Sequence, residues 1–254
     1  MSELTVRRTH AAVMIGRCVR LSQRNVDALL VSLLLPVILM LLFVYLFGGA
    51  IDTGSAYVTY VVPGVLLLCA GFGAAGTAVS VTTDLTNGMI ERLRTMDVGA
   101  TSIIAGHVVA SVVRNLVSTA LVLAVAVAIG FRPAVAPLRW LAAAGVLLLF
   151  LLAVSWLSAA FGLLARTPEA ASGYTFLVMF LPYPSSAFVP VETMPGWLRG
   201  FAENQPVTPV IESLRGLLLD APVGSAPARA VIWCLGLLAV GVLLSAVLFR
   251  RRIA

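Results

Sequence analysis

Apolar residues in this chain do not alternate, and they rarely form a single helical stripe. They come in long runs separated by short polar breaks. A bilayer's hydrocarbon core is about 30 Å thick, and a helix rising about 1.5 Å per residue needs about 20 apolar residues to cross it. Six runs meet that length: 28–47, 57–82, 103–129, 138–165, 172–189 and 230–249. The pattern predicts an all-α integral membrane protein of six transmembrane helices. Residues 1–27 form an N-terminal interfacial helix ahead of a six-helix domain over 28–254. The first run is longer than the 7–15 residues of a cleaved signal's core and its basic leader is too long, so it is expected to stay in the mature chain.

Composition agrees. Of 254 residues, 60% are hydrophobic and 11% charged, with a mean hydropathy of +1.04, against roughly 45–50% apolar content in soluble domains. All 17 basic residues are arginine. Without lysine no phosphate-gripping P-loop can exist in this chain, so any ATP and Mg²⁺ would be held by another subunit, and no cofactor is expected here. Cys18, Cys69 and Cys234 are far apart with no C-x-x-C spacing, which predicts neither a disulfide framework nor a metal site. His10 and His107 have no acidic neighbour in sequence and read as polar helix-end residues. The 11 acids lie outside the spans or at their edges, which argues against a self-powered transporter that binds protons or sodium on buried carboxylates.

Arginine counts set the orientation, because basic flanks stay in the cytoplasm. With the N-terminus inside, the inner flanks hold Arg7, Arg8, Arg17, Arg20, Arg24, Arg92, Arg94, Arg166, Arg250, Arg251 and Arg252. The outer flanks hold Arg132, Arg139, Arg199, Arg215 and Arg229. Both termini are thus predicted to be cytoplasmic, in the inner (plasma) membrane. Arg17, Arg20 and Arg24 recur on one helical face and predict contact with lipid phosphates, while Ile15, Cys18 and Val19 share another face.

Four stretches are candidates for function. Gly71-Phe-Gly-Ala-Ala-Gly76 satisfies G-x-G-x-x-G, yet it lies inside an apolar run without the strand and helix N-terminus of a dinucleotide site. Ala70, Gly73, Ala74 and Thr77 make instead a smooth face for close helix packing. Arg114, beside Asn115, is the one ionised group well inside a span. It is expected to snorkel, to bond within a helix interface, or to meet substrate or lipid phosphate. The polar island of about 84–97 begins at Asp84 and turns at Gly88, after which Met89, Leu93 and Met96 share a helical face while Glu91, Arg92 and Arg94 cover the others. The residues alone allow either a short docking helix or a solvated loop. Finally, Pro182, Pro184, Pro190 and Pro195 forbid one straight helix over about 182–206. Broken backbone at membrane depth needs protein or water around it, which predicts re-entrant outer helices, with Trp197 and Phe201 as interfacial anchors.

Asn87-Gly-Met-Ile-Glu-Arg-Leu-Arg-Thr-Met96, Gly106-His-Val-Val-Ala-Ser-Val-Val-Arg-Asn115, and Ser186-Ala-Phe-Val-Pro-Val-Glu-Thr-Met-Pro-Gly-Trp197 with Asn204-Gln-Pro-Val-Thr208 occur in that order. In these motifs the chain resembles permease subunits of type-2 ABC transporters, in the daunorubicin/doxorubicin-resistance exporter branch. The resemblance implies a coupling helix in which Gly88, Glu91, Arg92 and Leu93 dock into a cytoplasmic ABC ATPase, and the docking element is expected to include Asp84, Met89 and Arg94 as well. It also implies two ATPase copies, a second permease copy, and extracellular re-entrant helices that include Phe188. It implies export of a hydrophobic drug, lipid or glycolipid, with membrane lipids as partners, no nucleic acid, and no catalytic residue in this chain. Asp97 stands where the family often has proline, and Ser111 where an acid often precedes Arg114. The rival expectations are a motor-independent secondary transporter or channel, and a membrane immunity or scaffold protein.

Overall fold

The computed structural model describes residues 3–51, 53, 56–89, 100–133 and 136–253. Among the described residues there are nine α-helices. They are α1 (Glu3–Arg24), α2 (Val26–Leu42), α3 (Tyr57–Thr86), α4 (Ala100–Ala128), α5 (Pro137–Leu164), α6 (Pro168–Phe180), α7 (Gly196–Asn204), α8 (Val207–Leu218) and α9 (Ala226–Ile253). A π turn, Phe43–Phe47, continues α2, and a 3₁₀ turn covers Val191–Thr193. No described residue lies in a strand. Five segments are long and apolar enough to cross a membrane: Leu29–Phe47, Tyr57–Thr86, Ser102–Ala128, Pro137–Leu164 and Ala226–Arg252. The protein is an all-helical integral membrane protein.

The hub is α3. Its apolar window is 83% buried, against 17% for those of Leu29–Phe47 and Ala226–Arg252, which flank the bundle. Small residues let the neighbouring helices come close to it. A methyl group on Gly73 would lie 1.7 Å from Asn115 Oδ1 of α4, and one on Gly162 of α5 would lie 2.6 Å from the Ala78 carbonyl oxygen. Hydroxyls join helices where apolar contact alone carries no direction. Thr82 donates to the Gly162 carbonyl at 2.8 Å, Ser155 to Ser111 at 3.0 Å, and Ser118 to the Ser32 carbonyl at 3.0 Å.

Where the sequence predicts a fifth span over 172–189, the helix is shorter. α6 has 13 residues, about 20 Å at the usual rise. It starts where Thr167 caps the Ala170 N–H and Pro168 takes the first turn. It stops ahead of Pro182 and Pro184, and 181–188 continues as consecutive turns. The chain nevertheless keeps antiparallel register with α3. Ala171 clusters with Ala78, Met179 lies against Gly71, and Ala187 lies against Gly64. From Ala78 back to Gly64, 14 residues of helix cover about 21 Å. Tyr57 at the start of α3 donates to the Phe188 carbonyl at 2.9 Å.

α1 also differs from a helix that only rests on lipid. Met14 and Cys18 close on Gly106 of α4, and one turn further on Ser22 accepts from Arg114 of the same helix. Met14, Cys18 and Ser22 are spaced by four, so one face of α1 packs along the first turns of α4. Arg17 leaves the expected arginine stripe and turns inward, while Arg20 and Arg24 are exposed.

Candidate functional site

The polar island sits where α3 ends. Asn87 and Gly88 stop the helix, and Gly88 has φ +67°, a conformation that favours glycine. Met89 is half-buried beside a second core cluster that contains Met14, Val81 and Ile103. Glu91, Arg92, Leu93 and Arg94 lie outside the described residues.

Asp84 lies in the last turn of α3 and faces inward. Arg17 of α1 donates to both carboxylate oxygens, Nη1 to Oδ2 at 2.7 Å and Nη2 to Oδ1 at 3.1 Å. His107 Nε2 of α4 is 3.1 Å from the same Oδ2. The side chains of Arg17, Asp84 and His107 are 24%, 13% and 4% exposed. The hydrogen bond from Arg17 to Asp84 raises the arginine's pKa against burial, so it stays charged. Burial pushes the neighbouring Cys18 thiol up to about 11, which leaves it unreactive. His107 is therefore not the plain helix-end residue expected from sequence, because an acid 23 positions upstream meets it in space.

Arg114 joins three helices. Its Nη1 donates to Ser22 Oγ at 2.9 Å, and its Nη2 to the Gly73 carbonyl at 2.9 Å and to Thr77 Oγ1 at 3.2 Å. These are bonds within a helix interface, with Ser22 as a partner that sequence spacing does not suggest. Of the two residues near Arg114 in sequence, Asn115 packs on Gly73 and Ser111 bonds Ser155. Each glycine of the G-x-G-x-x-G stretch faces a neighbouring side chain: Gly71 faces Met179, Gly73 faces Asn115 and the more exposed Gly76 faces Arg114.

At the opposite end of the bundle the proline-rich segment folds onto the start of α3. Phe188 is buried, stacked 4.2 Å from Phe43 and 5.5 Å from Tyr183. Pro182 is buried, while the Pro184 carbonyl accepts from Gln205 at 2.6 Å. Pro190 precedes the 3₁₀ turn, and Pro195 precedes α7, whose Trp197 and Phe201 are exposed. From α8, Arg215 reaches in to donate to the carbonyls of Tyr60 at 3.1 Å and Ser186 at 2.6 Å, and its guanidinium stacks 3.8 Å over the Tyr60 ring. By sequence Arg215 reads as one of the outer-flank charges. Its helical spacing in α8 is its only local signal, since its partners lie 155 and 29 residues away. An apolar cavity of about 410 Å³ opens between α6 and α7, lined by Phe176, Leu177, Phe180, Pro184 and Phe201 among others.

Comparison of the sequence with known proteins places the chain among transport proteins. The model of the family described as "ABC-2 type transporter" matches residues 9–219. The chain is 34% identical over 187 residues to the daunorubicin resistance ABC transporter permease protein DrrB1 of Streptomyces coeruleorubidus, a match covering 73% of this chain. That match spans 66% of the relative, just under two thirds of its length. The chain is also 24% identical over 225 residues to the probable doxorubicin resistance ABC transporter permease protein DrrC of Mycobacterium tuberculosis (strain CDC 1551 / Oshkosh), covering 87% of this chain and 80% of that protein.

Proposed function

Because the chain belongs to the ABC-2 type transporter family, we propose that it is the permease subunit of an exporter driven by ATP hydrolysis on a separate cytoplasmic subunit. The observation that carries this reading is the family match over most of a bundle with five long apolar helices. The chain also has no lysine with which to build a phosphate-binding loop of its own. The working unit is two permeases with two ATPase subunits, which hold the ATP and Mg²⁺.

The polar island of about 84–97 supplies the coupling segment, with Gly88, Met89, Glu91, Arg92, Leu93 and Arg94 presented to the ATPase and Asp84, whose carboxylate is taken by Arg17, held inside the bundle. Both termini and this segment are cytoplasmic, in the inner (plasma) membrane. The arginine distribution supports this orientation. The membrane is crossed six times. The fifth crossing is composite, α6 prolonged by the turns 181–188, and its support is the antiparallel register with α3 from Ala78 to Gly64. The segment from Pro182 through α7 and α8 is the re-entrant outer end. Nucleotide binding biases two packings of the bundle, one open inward and one outward.

The cargo is a hydrophobic drug, lipid or glycolipid. Apolar and aromatic side chains left open on α6 support this: Phe176, Leu177 and Phe180 are each more than half exposed and line the apolar cavity with Phe201. That face is where the second permease copy and the cargo would meet. The test is reconstitution in liposomes with the ATPase subunit and daunorubicin as the probe, chosen from the relative's name. ATP-dependent accumulation that vanishes without the ATPase subunit is expected. Movement of the probe by the permease alone would overturn the reading in favour of a motor-independent transporter.

A further inference from the structure

We propose that Arg17, Asp84 and His107 form a three-helix joint that passes displacement of the coupling segment to α1 and α4, so that Asp84 is a positioning residue inside the bundle and not part of the surface that meets the ATPase. The inference rests on the reading of the segment after α3 as the docking element.

The geometry gives Asp84 no free face. Both carboxylate oxygens are taken by Arg17, and Oδ2 is shared with His107. A docking carboxylate would keep its oxygens toward the partner. This one points across the bundle, with 13% of its side chain exposed. Its place in the chain suits a relay. It lies in the last turn of α3, just ahead of the break at Asn87 and Gly88. Any pull on the following segment reaches the bundle first through this turn. In the same region, Thr82 bonds the Gly162 carbonyl of α5 at 2.8 Å.

α1 is placed to follow. Gly106 brings α4 against Met14 and Cys18, where an added methyl would lie 3.2 Å from the Met14 backbone and 3.3 Å from the Cys18 sulfur. A second arginine, Arg114, fastens Ser22 of α1 to Gly73 and Thr77 of α3 further along. α1 is thus tied to α3 at two levels, with the Arg17 pair at the level nearer the coupling segment. As a stabiliser a part-buried ion pair is a poor choice, since its desolvation cost offsets much of the attraction. A two-pronged arginine–carboxylate contact does supply a directional link that holds in one register and releases as a unit. Made in one packing of the bundle and broken in the other, it would give the two sites a shared element to bias.

The test uses the full permease co-expressed with its ATPase subunit, with a reporter cysteine at the exposed position 20 (Arg20→Cys). The native Cys18, Cys69 and Cys234 are buried. In the otherwise unaltered complex, trapping ATP with vanadate should change the maleimide labelling rate at position 20 several-fold, because the reporter moves with α1 between the two packings. With Asp84→Asn added, the ATPase subunit should still co-purify and hydrolyse ATP, while the nucleotide-dependent change falls to less than about twofold. Arg17→Gln should do the same if Asp84→Asn fails to accumulate. Exchanging the charges, Arg17→Asp with Asp84→Arg, should restore most of the response. The proposal is overturned if the labelling change is absent in the unaltered complex, persists in Asp84→Asn and Arg17→Gln, or disappears only because the ATPase no longer co-purifies. Failure of the docking reading shows separately: Glu91→Arg should abolish co-purification, and an intact complex there would remove the premise and not the joint.

Discussion

At the scale of single residues, the bundle is set by where no side chain can be tolerated. Gly73 and Gly162 both look like ordinary small packing residues, but their obstacles differ. A methyl on Gly73 runs into the end of the Asn115 side chain, whereas one on Gly162 runs into the backbone of α3 at Ala78. Gly73→Ala should destabilise the purified protein by about 1–3 kcal/mol, as overpacking does, and adding Asn115→Ala should recover at least half of that loss. Gly162→Ala should lose a similar amount with no side-chain change able to recover it. Thermal melts followed by fluorescence-detected size exclusion separate the two cases, and equal recovery at both sites would refute the distinction. Arg114 yields a second prediction. Its partners Ser22, Gly73 and Thr77 are neutral, so removing the guanidinium strands no charge, and the Gly73 carbonyl still accepts from Thr77 at 2.9 Å. Arg114→Met should therefore assemble and retain export within about threefold, equivalent to roughly 0.7 kcal/mol. A loss of a hundredfold with assembly intact would show instead that the guanidinium meets the cargo.

At the scale of elements, helix ends decide what the apolar runs leave undecided. α6 is capped at one end by Thr167 and ended at the other by the approach of Pro182 and Pro184, so a run that could have been one straight span becomes a short helix with a turn-built continuation. Its far end is held by contacts from other elements: Tyr57 and Arg215 to main-chain carbonyls, and Phe43 by stacking on Phe188. α5 ends differently. Arg252, from the last turn of α9, donates to the carbonyls of Leu163 at 3.1 Å, Leu164 at 3.2 Å and Ala165 at 2.5 Å. A cation at the negative end of a helix that also satisfies its free carbonyls is worth up to about 2 kcal/mol. Arg252→Ala should lower stability by about 1–2 kcal/mol, whereas Arg250→Ala should change it by less than about 0.5 kcal/mol. Equal melting temperatures for the two variants would count against the cap.

At the scale of the whole molecule, both ends of the bundle carry ion pairs, Arg139–Asp220, Arg199–Glu203 and Arg229–Glu212 lying at the end where α5 and α9 begin, but the groups packed around them differ. One gathers Arg17, Asp84, His107 and Arg252 around helix ends, and the other gathers aromatic rings, prolines and Arg215. If the composite segment 168–188 crosses the membrane, reporters fused at Arg166 and at Gly200 must lie on opposite sides. Reporters at Arg166 and Arg252 should read cytoplasmic, and those at Gly130 and Gly200 should read external. Agreement between Arg166 and Gly200 would reduce the crossings to five.

Much of this molecule is written locally. Length and hydropathy alone establish a helical membrane protein and the approximate place of its spans, because the hydrocarbon thickness is an external ruler that every apolar run must match. The small-residue stripe from Ala70 to Thr77, the stop at Gly88 and the break after α6 follow from backbone chemistry within a few residues. The partnerships were decided only by packing. Asp84 finds Arg17 across 67 positions, Arg114 finds Ser22 across 92, and Arg215 finds Tyr60 across 155. Such pairs leave no periodic trace, since inside lipid a polar side chain bonds whichever group the helices bring within reach. Which helix comes within reach is settled by the small residues that let backbones close together.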